Sequence, residues 1–315
     1  MRVERKKKRK WLRITGWVAL LIFLSIGAYA FSVYRSLTTA VDTMHEPIIR
    51  EREPRPIEFE KAEPFSVLML GVDEREGDKG RSDTIITLTV NPEKNSIKML
   101  SIPRDTLTEI VGRGTEDKIN HAYAFGGVEM SMDTVENFLD IPIDYYIKVN
   151  MEGFKDIVDA VGGIRINNSF EFTEGKYHFA QGPIELNGEE ALSFVRMRKQ
   201  DPRGDFGRQT RQRQVIQGVI NKGLSFGSLT RFDNIFEALG GNVKTNVTFD
   251  EMVDIQRQYR SAAGTIEQMQ IEATGKYINN ISYQLVSDEE LKRVQAELKE
   301  HLAIPVEDKD EQNAS

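Results

Sequence analysis

The feature that most constrains this chain is an uncharged stretch of 21 residues, 14–34, directly behind a basic N-terminus. A helix of about 20 apolar residues crosses the roughly 30 Å hydrocarbon core of a bilayer. Residues 1–13 carry eight basic residues and one acidic residue, a net charge of +7. Because positive flanks stay on the inner side, we predict a cytoplasmic basic tail (1–13), one transmembrane signal-anchor helix (14–34) and an extracellular remainder, as in a single-pass type II protein of the cell membrane.

A cleaved signal peptide is the alternative, because Ala28-Tyr29-Ala30 matches the small-x-small cleavage pattern. The uncharged stretch is longer than the core of a typical signal peptide, which has about 7–15 residues, and this favours a retained anchor. Both interpretations export the rest of the chain.

The exported part is acidic and contains no cysteine. The whole chain carries −7, so residues 14–315 sum to −14. Affinity for nucleic acid comes from neutralising phosphates, so such a domain is a poor nucleic-acid binder. The absence of cysteine excludes thiol catalysis and thiolate metal sites, and the four histidines are scattered singly, which argues against a histidine-based metal site.

Proline and charge divide the exported part into three. Residues 35–61 combine proline with charge, as in Glu46-Pro47 and Glu53-Pro54, and show no apolar period, which predicts an extended extracellular stalk. Residues 304–315 are polar and predict a disordered tail. A single domain, residues 62–303, lies between them.

Within this domain, apolar patterning predicts strands interleaved with helices. We expect strands at 65–70, 84–90, 97–102 and 145–149, and helices at 128–139, 188–197 and 208–222. Further helices should follow the capping-box sequences that begin at Thr248 and Ser287. The predicted fold class is α/β, a mixed central sheet with helices on both faces (an α/β/α sandwich), because an early hairpin makes the sheet mixed.

Two aspartates and two arginines flank the first two predicted strands. Asp73 and Arg75 follow the first strand, while Arg81 and Asp83 precede the second. If these strands are neighbours, both carboxylates lie at one sheet edge and, with waters and phosphate oxygens, form an acceptable Mg²⁺ shell. Arg75 and Arg81 are then candidates for bidentate phosphate binding. The alternative is that all four are solvated loop charges.

A second group of polar residues follows the third predicted strand. Arg104 and Asp105 emerge at its carboxyl end, where ligand-binding groups of α/β sheets usually lie. Lys118 is a candidate phosphate-binding charge and Asn120 a candidate positioning group. Alone, each is more often a surface charge or a helix cap.

The third group places six arginines within 18 residues of an acidic domain. They are Arg196, Arg198, Arg203, Arg208, Arg211 and Arg213. Arg208, Arg211 and Gln212 share one face if residues 208–222 are helical. Converging guanidinium groups repel one another unless an anion compensates them, and pyrophosphate best matches so many planar donors. A solvated basic face is the alternative.

Five sequence motifs follow one another along the chain. They are G-x-D-x-R, G-R-S-D-T, S-I-P-R-D, K-I-N-H-A, and R-x-R followed by G-R-x-x-R-Q. Together with the basic end, single span and exported domain, they resemble the LytR–CpsA–Psr family. The resemblance implies a phosphotransferase that moves an anionic glycan, wall teichoic acid foremost, from a polyprenyl-pyrophosphate carrier to peptidoglycan. Polyprenyl phosphate is released, and Mg²⁺ is the expected cofactor.

The resemblance also implies roles for single residues. Asp73 and Asp83 match the Mg²⁺ carboxylates. For the proposed phosphoryl transfer, Arg104 is a further catalytic candidate, and the base is either Asp73 or Asp105, between which the sequence does not choose. The pyrophosphate contacts that match are Arg81, Arg104, Lys118, Arg196, Arg198, Arg208, Arg211 and Gln212.

A prenyl chain needs an apolar groove. Candidates for its lining are Phe125, Met130, Phe138, Phe154, Phe194 and Ile220, with core packing as the alternative for each. Two other functions stay open. One is a membrane-bound transcriptional attenuator or regulator, against which the exported acidic domain argues, and the other is a polyprenyl-pyrophosphate hydrolase with water as the acceptor.

Overall fold

The computed structural model of the chain describes residues 15–18, 20–25, 27, 31–32, 35, 38, 41–50, 55–74, 80–224 and 239–305. Within these ranges, no helix combines the length and the apolar character that a membrane crossing needs. Part of the predicted anchor, Arg75 and residues 306–315 of the predicted tail lie outside the described residues, so those predictions stay as predictions.

A six-stranded mixed sheet forms the centre of the domain. Its strands are β1 (Phe65–Val72), β2 (Ser82–Asn91), β3 (Ser96–Ile102), β6 (Tyr145–Val149), β11 (Val243–Thr245) and β12 (Thr265–Gln270). The order across the sheet is β11-β6-β1-β2-β3-β12. β1 is antiparallel to β2 and parallel to β6, which confirms the mixed sheet. The four predicted strands are also confirmed, each within two residues of its expected bounds.

Helices cover both faces of this sheet, as predicted. They are α1 (His121–Leu139), α2 (Met151–Ala160), α3 (Gly188–Arg196), α4 (Asp205–Leu224), α5 (Phe249–Gln258) and α6 (Asp288–His301). α1 begins earlier than expected but is interrupted at Gly126 and Gly127, so its regular part starts at the predicted residue 128. The capping box at Thr248 is complete, whereas Ser287 accepts a hydrogen bond from Glu290 without the return bond.

Alternate residues of the strands pack on opposite faces, since side chains of a strand point to either side in turn. Leu68 and Leu70 of β1 face α1 and α6. Val67 and the neighbouring Ile86 of β2 face α4 and α5. A separate core forms around Phe194 of α3, beside α4.

Four two-stranded antiparallel sheets lie beside the central sheet in the described part of the domain, and the sequence patterning did not predict them. The pairs are β4 (Leu107–Ile110) with β5 (Thr115–Lys118), β7 (Ile164–Asn168) with β10 (Gly182–Leu186), β8 (Phe172–Glu174) with β9 (Tyr177–Phe179), and β13 (Thr274–Ile278) with β14 (Ile281–Leu285). Most are short and half-exposed, so they lack the long apolar runs that revealed the central strands.

Residues 41–50 pack against the domain, which corrects the predicted extended stalk. Met44 is only 3% exposed. Arg50 forms ion pairs with Asp133 and Glu136, and the side chains of Arg50 and Glu136 are both buried. The stalk was predicted because proline and charge are typical of linkers. The partners of Arg50 lie more than 80 residues further along the chain, where local patterning does not reach.

Candidate active site and its apolar cavity

Asp73 and Asp83 lie at the same end of the two central strands. Because β1 and β2 are antiparallel, the residue after β1 lies beside the start of β2. Asp83 is inside β2, not before it as predicted. The register leaves Asp83 as the extra residue of a β-bulge, between the pairs Gly71–Thr84 and Val72–Ser82. Bulges re-aim side chains, and both aspartates line the cavity described below.

Gln212 reaches this edge from α4. Its Nε2 donates a hydrogen bond to Thr84 Oγ1 at 2.7 Å. Thr84 packs closely against β1 because Gly71 faces it, and a Cβ at Gly71 would lie 2.8 Å from the Thr84 Cβ. Thr84 is therefore a site residue that sequence analysis missed, although the glycine before Asp73 marked the close approach.

Arg104 lies beside Asp83 after β3. Its Nη1 donates to Asp83 Oδ1 at 2.7 Å. Burial lowers the pKa of Arg104, but the nearby carboxylates of Asp83, Asp105 and Asp205 outweigh it and raise the pKa above its usual value. Arg104 is therefore a fixed positive charge at the strand ends.

Asp105 and Lys118 form an ion pair behind Arg104. Lys118 Nζ donates to Asp105 Oδ1 at 2.7 Å, and Arg104 Nε lies 3.8 Å from Asp105 Oδ2. The backbone carbonyl of Asp105 accepts a hydrogen bond from the N–H of Gln284 at 2.9 Å. Asp105 does not line the cavity, and its carboxylate contacts two cations, Lys118 and Arg104.

Arg208 adds a further positive charge at the strand ends, and Asp205 compensates part of it. Its Nη2 lies 2.7 Å from Asp205 Oδ1, while Arg198 Nε lies 3.9 Å from the same oxygen. Burial lowers the pKa of Arg208, and the positive charges of Arg104 and Arg198 lower it further. Its Nε is buried without a hydrogen-bond partner. This convergence is the arrangement that an anion would stabilise.

Arg211, one helical turn further on, does not join this group. Its Nη1 donates to Asp201 Oδ2 at 2.6 Å, and its Nη2 donates to the carbonyl of Met197 at 2.5 Å. The side chains of Arg211 and Asp201 are at most 3% exposed. The structure thus places Arg211 in a buried ion pair and not in the cavity lining.

A cavity of about 770 Å³ begins at these strand ends and runs between the sheet and the helices α2, α4 and α5. Its walls are apolar along most of its length. The polar groups at the strand ends are Asp73, Asp83, Asn150, Arg196, Arg208 and Gln212. The apolar walls include Val67, Leu88, Ile147, Ile216, Ile220 and Met252. The cavity thus joins a charged end to an apolar interior.

The remaining residues predicted to contact the pyrophosphate differ in whether they line the cavity. Arg196 lines it, whereas the side chain of Arg198 is 52% exposed. Arg81 is exposed, and its carbonyl accepts a hydrogen bond from the N–H of Asp73 at 3.3 Å. Arg75 lies outside the described residues. Asp205, which contacts both Arg198 and Arg208, is a further residue that the sequence analysis did not assign.

Comparisons with known proteins show which family this chain belongs to. The model of the LytR_cpsA_psr family matches residues 31–300. The chain belongs to the LytR–CpsA–Psr family. A polyisoprenyl-teichoic acid–peptidoglycan teichoic acid transferase TagU of Bacillus subtilis (strain 168) is 52% identical over 304 residues, which cover 96% of this chain and 99% of that protein.

Two solved structures of similar chains support the same assignment to the LytR–CpsA–Psr family. The crystal structure of B. subtilis TagU is 52% identical, with a TM-score of 0.64, and covers 78% of this chain and 99% of its own. A structure of TagT bound to LIIa-WTA is 30% identical, with a TM-score of 0.71, and covers 82% of this chain and 100% of its own.

In this member of the LytR–CpsA–Psr family, the chemistry of the strand ends suits a hard cation. Among the described residues, no group of three or more acidic or histidine side chains could hold a metal ion. Asp73 and Asp83 supply carboxylate oxygens, and Mg²⁺ commonly takes only one or two carboxylates together with phosphate oxygens and waters. Two carboxylates beside the converging arginines are therefore a donor set that fits Mg²⁺.

Two of the six apolar candidates line the cavity, namely Phe154 and Ile220. Phe138 and Phe194 belong instead to the buried cores, and Phe125 is 40% exposed. Helical spacing alone did not distinguish these environments, since core and cavity walls use the same residue types.

Proposed function

We propose that this chain transfers an anionic glycan, wall teichoic acid foremost, from a polyprenyl-pyrophosphate carrier to peptidoglycan. The observation that carries the proposal is a cavity that joins a cationic, hydrogen-bonding end to a long apolar interior. A prenyl pyrophosphate has the matching shape, an anionic head on an apolar chain. The name of the similar transferase from Bacillus subtilis supports the same donor and acceptor.

The arginines bind the head group. Arg104, Arg196 and Arg208 present guanidinium groups around the strand ends, and a buried Nε of Arg208 has no protein partner. Charge-assisted hydrogen bonds to phosphate are about twice as strong as neutral ones and fix the orientation of the head. Gln212, held by Thr84, adds a polar group to the same end.

The proposed reaction is phosphoryl transfer, in which positioning and charge stabilisation provide most of the catalysis. A hydroxyl oxygen of peptidoglycan attacks the phosphorus that bears the glycan. The bond from that phosphorus to the bridging oxygen breaks, and polyprenyl phosphate leaves with the electron pair. Asp73 is the better candidate than Asp105 to accept the hydroxyl proton, because Asp73 lines the cavity whereas Asp105 accepts a hydrogen bond from Lys118.

Asp73 and Asp83 would hold Mg²⁺, which would neutralise charge on the phosphate oxygens. The proposal also includes a membrane anchor with the domain outside the cell. It is supported by the uncharged stretch at 14–34 behind a basic end, and by exposed apolar side chains such as Trp17 and Phe23 among the described residues of that stretch.

The test uses the full-length chain in lipid nanodiscs with lipid-pyrophosphate-linked glycan, Mg²⁺ and peptidoglycan oligomers. We expect a phosphodiester-linked glycan–peptidoglycan product and an equal amount of polyprenyl phosphate. Arg208→Gln should lower donor affinity about tenfold to a hundredfold, which corresponds to the loss of one charge-assisted contact. Arg257→Gln, an exposed arginine on α5, is the matched control and should change nothing.

The alternatives give different products. A hydrolase would release glycan phosphate whether or not peptidoglycan is present. A regulator would bind the carrier and give neither product, and either result would replace the proposed transfer.

A further inference from the structure

The hairpin of β13 and β14, residues 274–285, stands at the same edge of the central sheet as the charged strand ends. Since β12 runs parallel to β3, the chain leaves β12 for the hairpin at the edge where Arg104 follows β3. The N–H of Gln284 in β14 donates to the carbonyl of Asp105 at 2.9 Å, and Thr106 forms a parallel bridge to Gln284. An isolated two-stranded hairpin is only marginally stable, so these contacts hold it beside Arg104.

A tight turn fixes which side chains share a face of this hairpin. Asn279 and Asn280 both have positive φ, 50° and 65°, which is the backbone of a two-residue hairpin turn. Cross-strand partners lie on the same face of a pair of strands. Tyr277 and its partner Ser282 therefore share one face. The opposite face, called the hairpin face below, carries two cross-strand pairs, Lys276–Tyr283 and Ile278–Ile281.

The hairpin face combines exposed apolar groups with positive charge. Ile281 is 48% exposed, and Lys276 is exposed as well. Residues 274–285 contain one lysine and no acidic residue, although the whole chain carries −7. An exposed apolar surface marks a place of interaction, and its local charge selects the sign of the partner. The hairpin face therefore suits a partner that has apolar surfaces and anionic groups.

Lys118 joins the hairpin face to the charged strand ends. Its Nζ lies 5.6 Å from the centre of the Tyr283 ring, within the range of a cation–π contact. The same Nζ donates to Asp105 Oδ1 at 2.7 Å, and Arg104 Nε lies 3.8 Å from Asp105 Oδ2. A continuous row of interacting side chains therefore runs from Arg104 through Asp105 and Lys118 to the hairpin face.

The apolar cavity lies on the other side of Arg104. Of the central strands, β11, β6, β1 and β2 line the cavity, and none of the described residues of β3 or β12 does. In the strand order β11-β6-β1-β2-β3-β12, the cavity and the hairpin thus occupy opposite halves of the sheet, with Arg104 between them. In phosphoryl transfer, the attacking and leaving oxygens are roughly in line. If the leaving polyprenyl phosphate is on the cavity side, the acceptor approaches from the hairpin side.

We propose that the hairpin face binds the acceptor, a glycan strand of peptidoglycan, beside the site of transfer. The proposal rests on the proposed function for the identity of the acceptor. Such a strand presents N-acetylated sugar rings, whose C–H faces and methyl groups are apolar, and peptides that carry carboxylates. The rings and methyl groups pack on Ile281 and Tyr283, which removes apolar surface from water. Lys276 binds a carboxylate at the far end of the same face.

The first experiment measures acceptor binding by the full chain in nanodiscs, with the donor site filled by a prenyl pyrophosphate that carries no glycan. The double variant Lys276→Gln, Ile281→Ser alters the hairpin face. Tyr277→Ser is the matched control, because Tyr277 is 76% exposed on the opposite face of the same hairpin. We expect the double variant to raise Kd for soluble peptidoglycan oligomers about tenfold and the control to leave it unchanged. Affinity for prenyl pyrophosphate should be the same in all three proteins.

An unchanged Kd in the double variant, or an equal loss in Tyr277→Ser, overturns the proposal, and so does a parallel loss of prenyl-pyrophosphate affinity. If the oligomers bind through the hairpin face but no glycan is transferred, the acceptor surface stands and only the proposed reaction fails. If the double variant transfers glycan with a wild-type KM for peptidoglycan, the proposed function stands and the acceptor surface is wrong.

The second experiment needs no variant. A peptidoglycan oligomer with a photoreactive group on one sugar is cross-linked to the wild-type protein, and the labelled peptides are mapped. Labelling within residues 276–283 supports the proposal, whether or not glycan is transferred. Labelling confined to another surface, such as the hairpin of β8 and β9, overturns it.

Discussion

Arg208 and Arg211 stand three residues apart on α4, and replacing each by methionine should have opposite consequences. Arg211→Met removes the main partner of the buried Asp201 carboxylate. Breaking a buried ion pair costs about 3–5 kcal/mol. Asp201 keeps its contact with Arg203 Nε at 3.2 Å, so the lower value, about 3 kcal/mol, applies. For a domain of this size, about 1 kcal/mol shifts Tm by about 2–4 °C, which gives a fall of about 6–12 °C.

Arg208→Met should behave differently because Arg208 lies near the positive charges of Arg104 and Arg198, which lower its pKa. Its pair with Asp205 at 2.7 Å is the contact that it would lose. We expect a change in unfolding free energy within about 1 kcal/mol of zero, since Asp205 keeps Arg198 nearby and relief of repulsion offsets the loss of this largely buried pair. Affinity for a prenyl pyrophosphate should fall about tenfold to a hundredfold.

Thermal melts followed by circular dichroism measure the change in stability of each variant. Calorimetric titration with a prenyl pyrophosphate measures its affinity for the ligand. The double variant Asp201→Asn, Arg211→Met should recover part of the lost Tm, because no unpaired carboxylate remains. The reasoning fails if Arg211→Met melts at the wild-type temperature and loses binding, or if Arg208→Met is the variant that unfolds.

Three further outcomes are expected, two from the structure and one from the topology that the sequence predicts. Burial lowers the pKa of His301 to about 4, below its unfolded value of about 6.5. Between these two pH values the unfolded state binds a proton that the folded state does not. The contribution of His301 to stability is therefore complete above about pH 6.5 and falls by about 3 kcal/mol as the pH drops toward 4. Denaturant titrations of His301→Gln should lack this pH dependence. Asp83→Asn should remove the Mg²⁺ dependence of prenyl-pyrophosphate binding without lowering Tm, and a wild-type Mg²⁺ response would exclude Asp83 as a ligand. Protease added to intact protoplasts should digest the domain beyond about residue 40, and protection would contradict the predicted topology.

Sequence patterning predicted the strands best where their residues are buried along nearly the whole strand. β1, β2 and β3 are buried along nearly their whole length, and their apolar runs marked them within two residues. The proximity of Asp73 and Asp83 was predicted on the condition that β1 and β2 are neighbours, and the register meets this condition. The bulge that singles out Asp83 depends on local backbone pairing and had no signal in the residue pattern.

Helical spacing alone did not predict which side chains of α4 reach the cavity. Residues three and four apart share one side of a helix, which correctly related Arg208 to Gln212. It also grouped Arg211 with them, yet the side chain of Arg211 is drawn to Asp201 in the preceding loop. Which way a long side chain turns is decided by its tertiary partner, and a single sequence does not identify a partner outside the helix.

The docking of residues 45–46 on β11 has a practical consequence for producing the protein. β11 is the outermost strand on its side, and His45 and Glu46 occupy the hydrogen-bonding groups of Thr245 that would otherwise be uncovered. An uncovered strand edge is a template for pairing with another chain. A soluble fragment that begins after residue 50 should therefore self-associate through β11, whereas one that begins at Val41 should stay monodisperse at the same concentration.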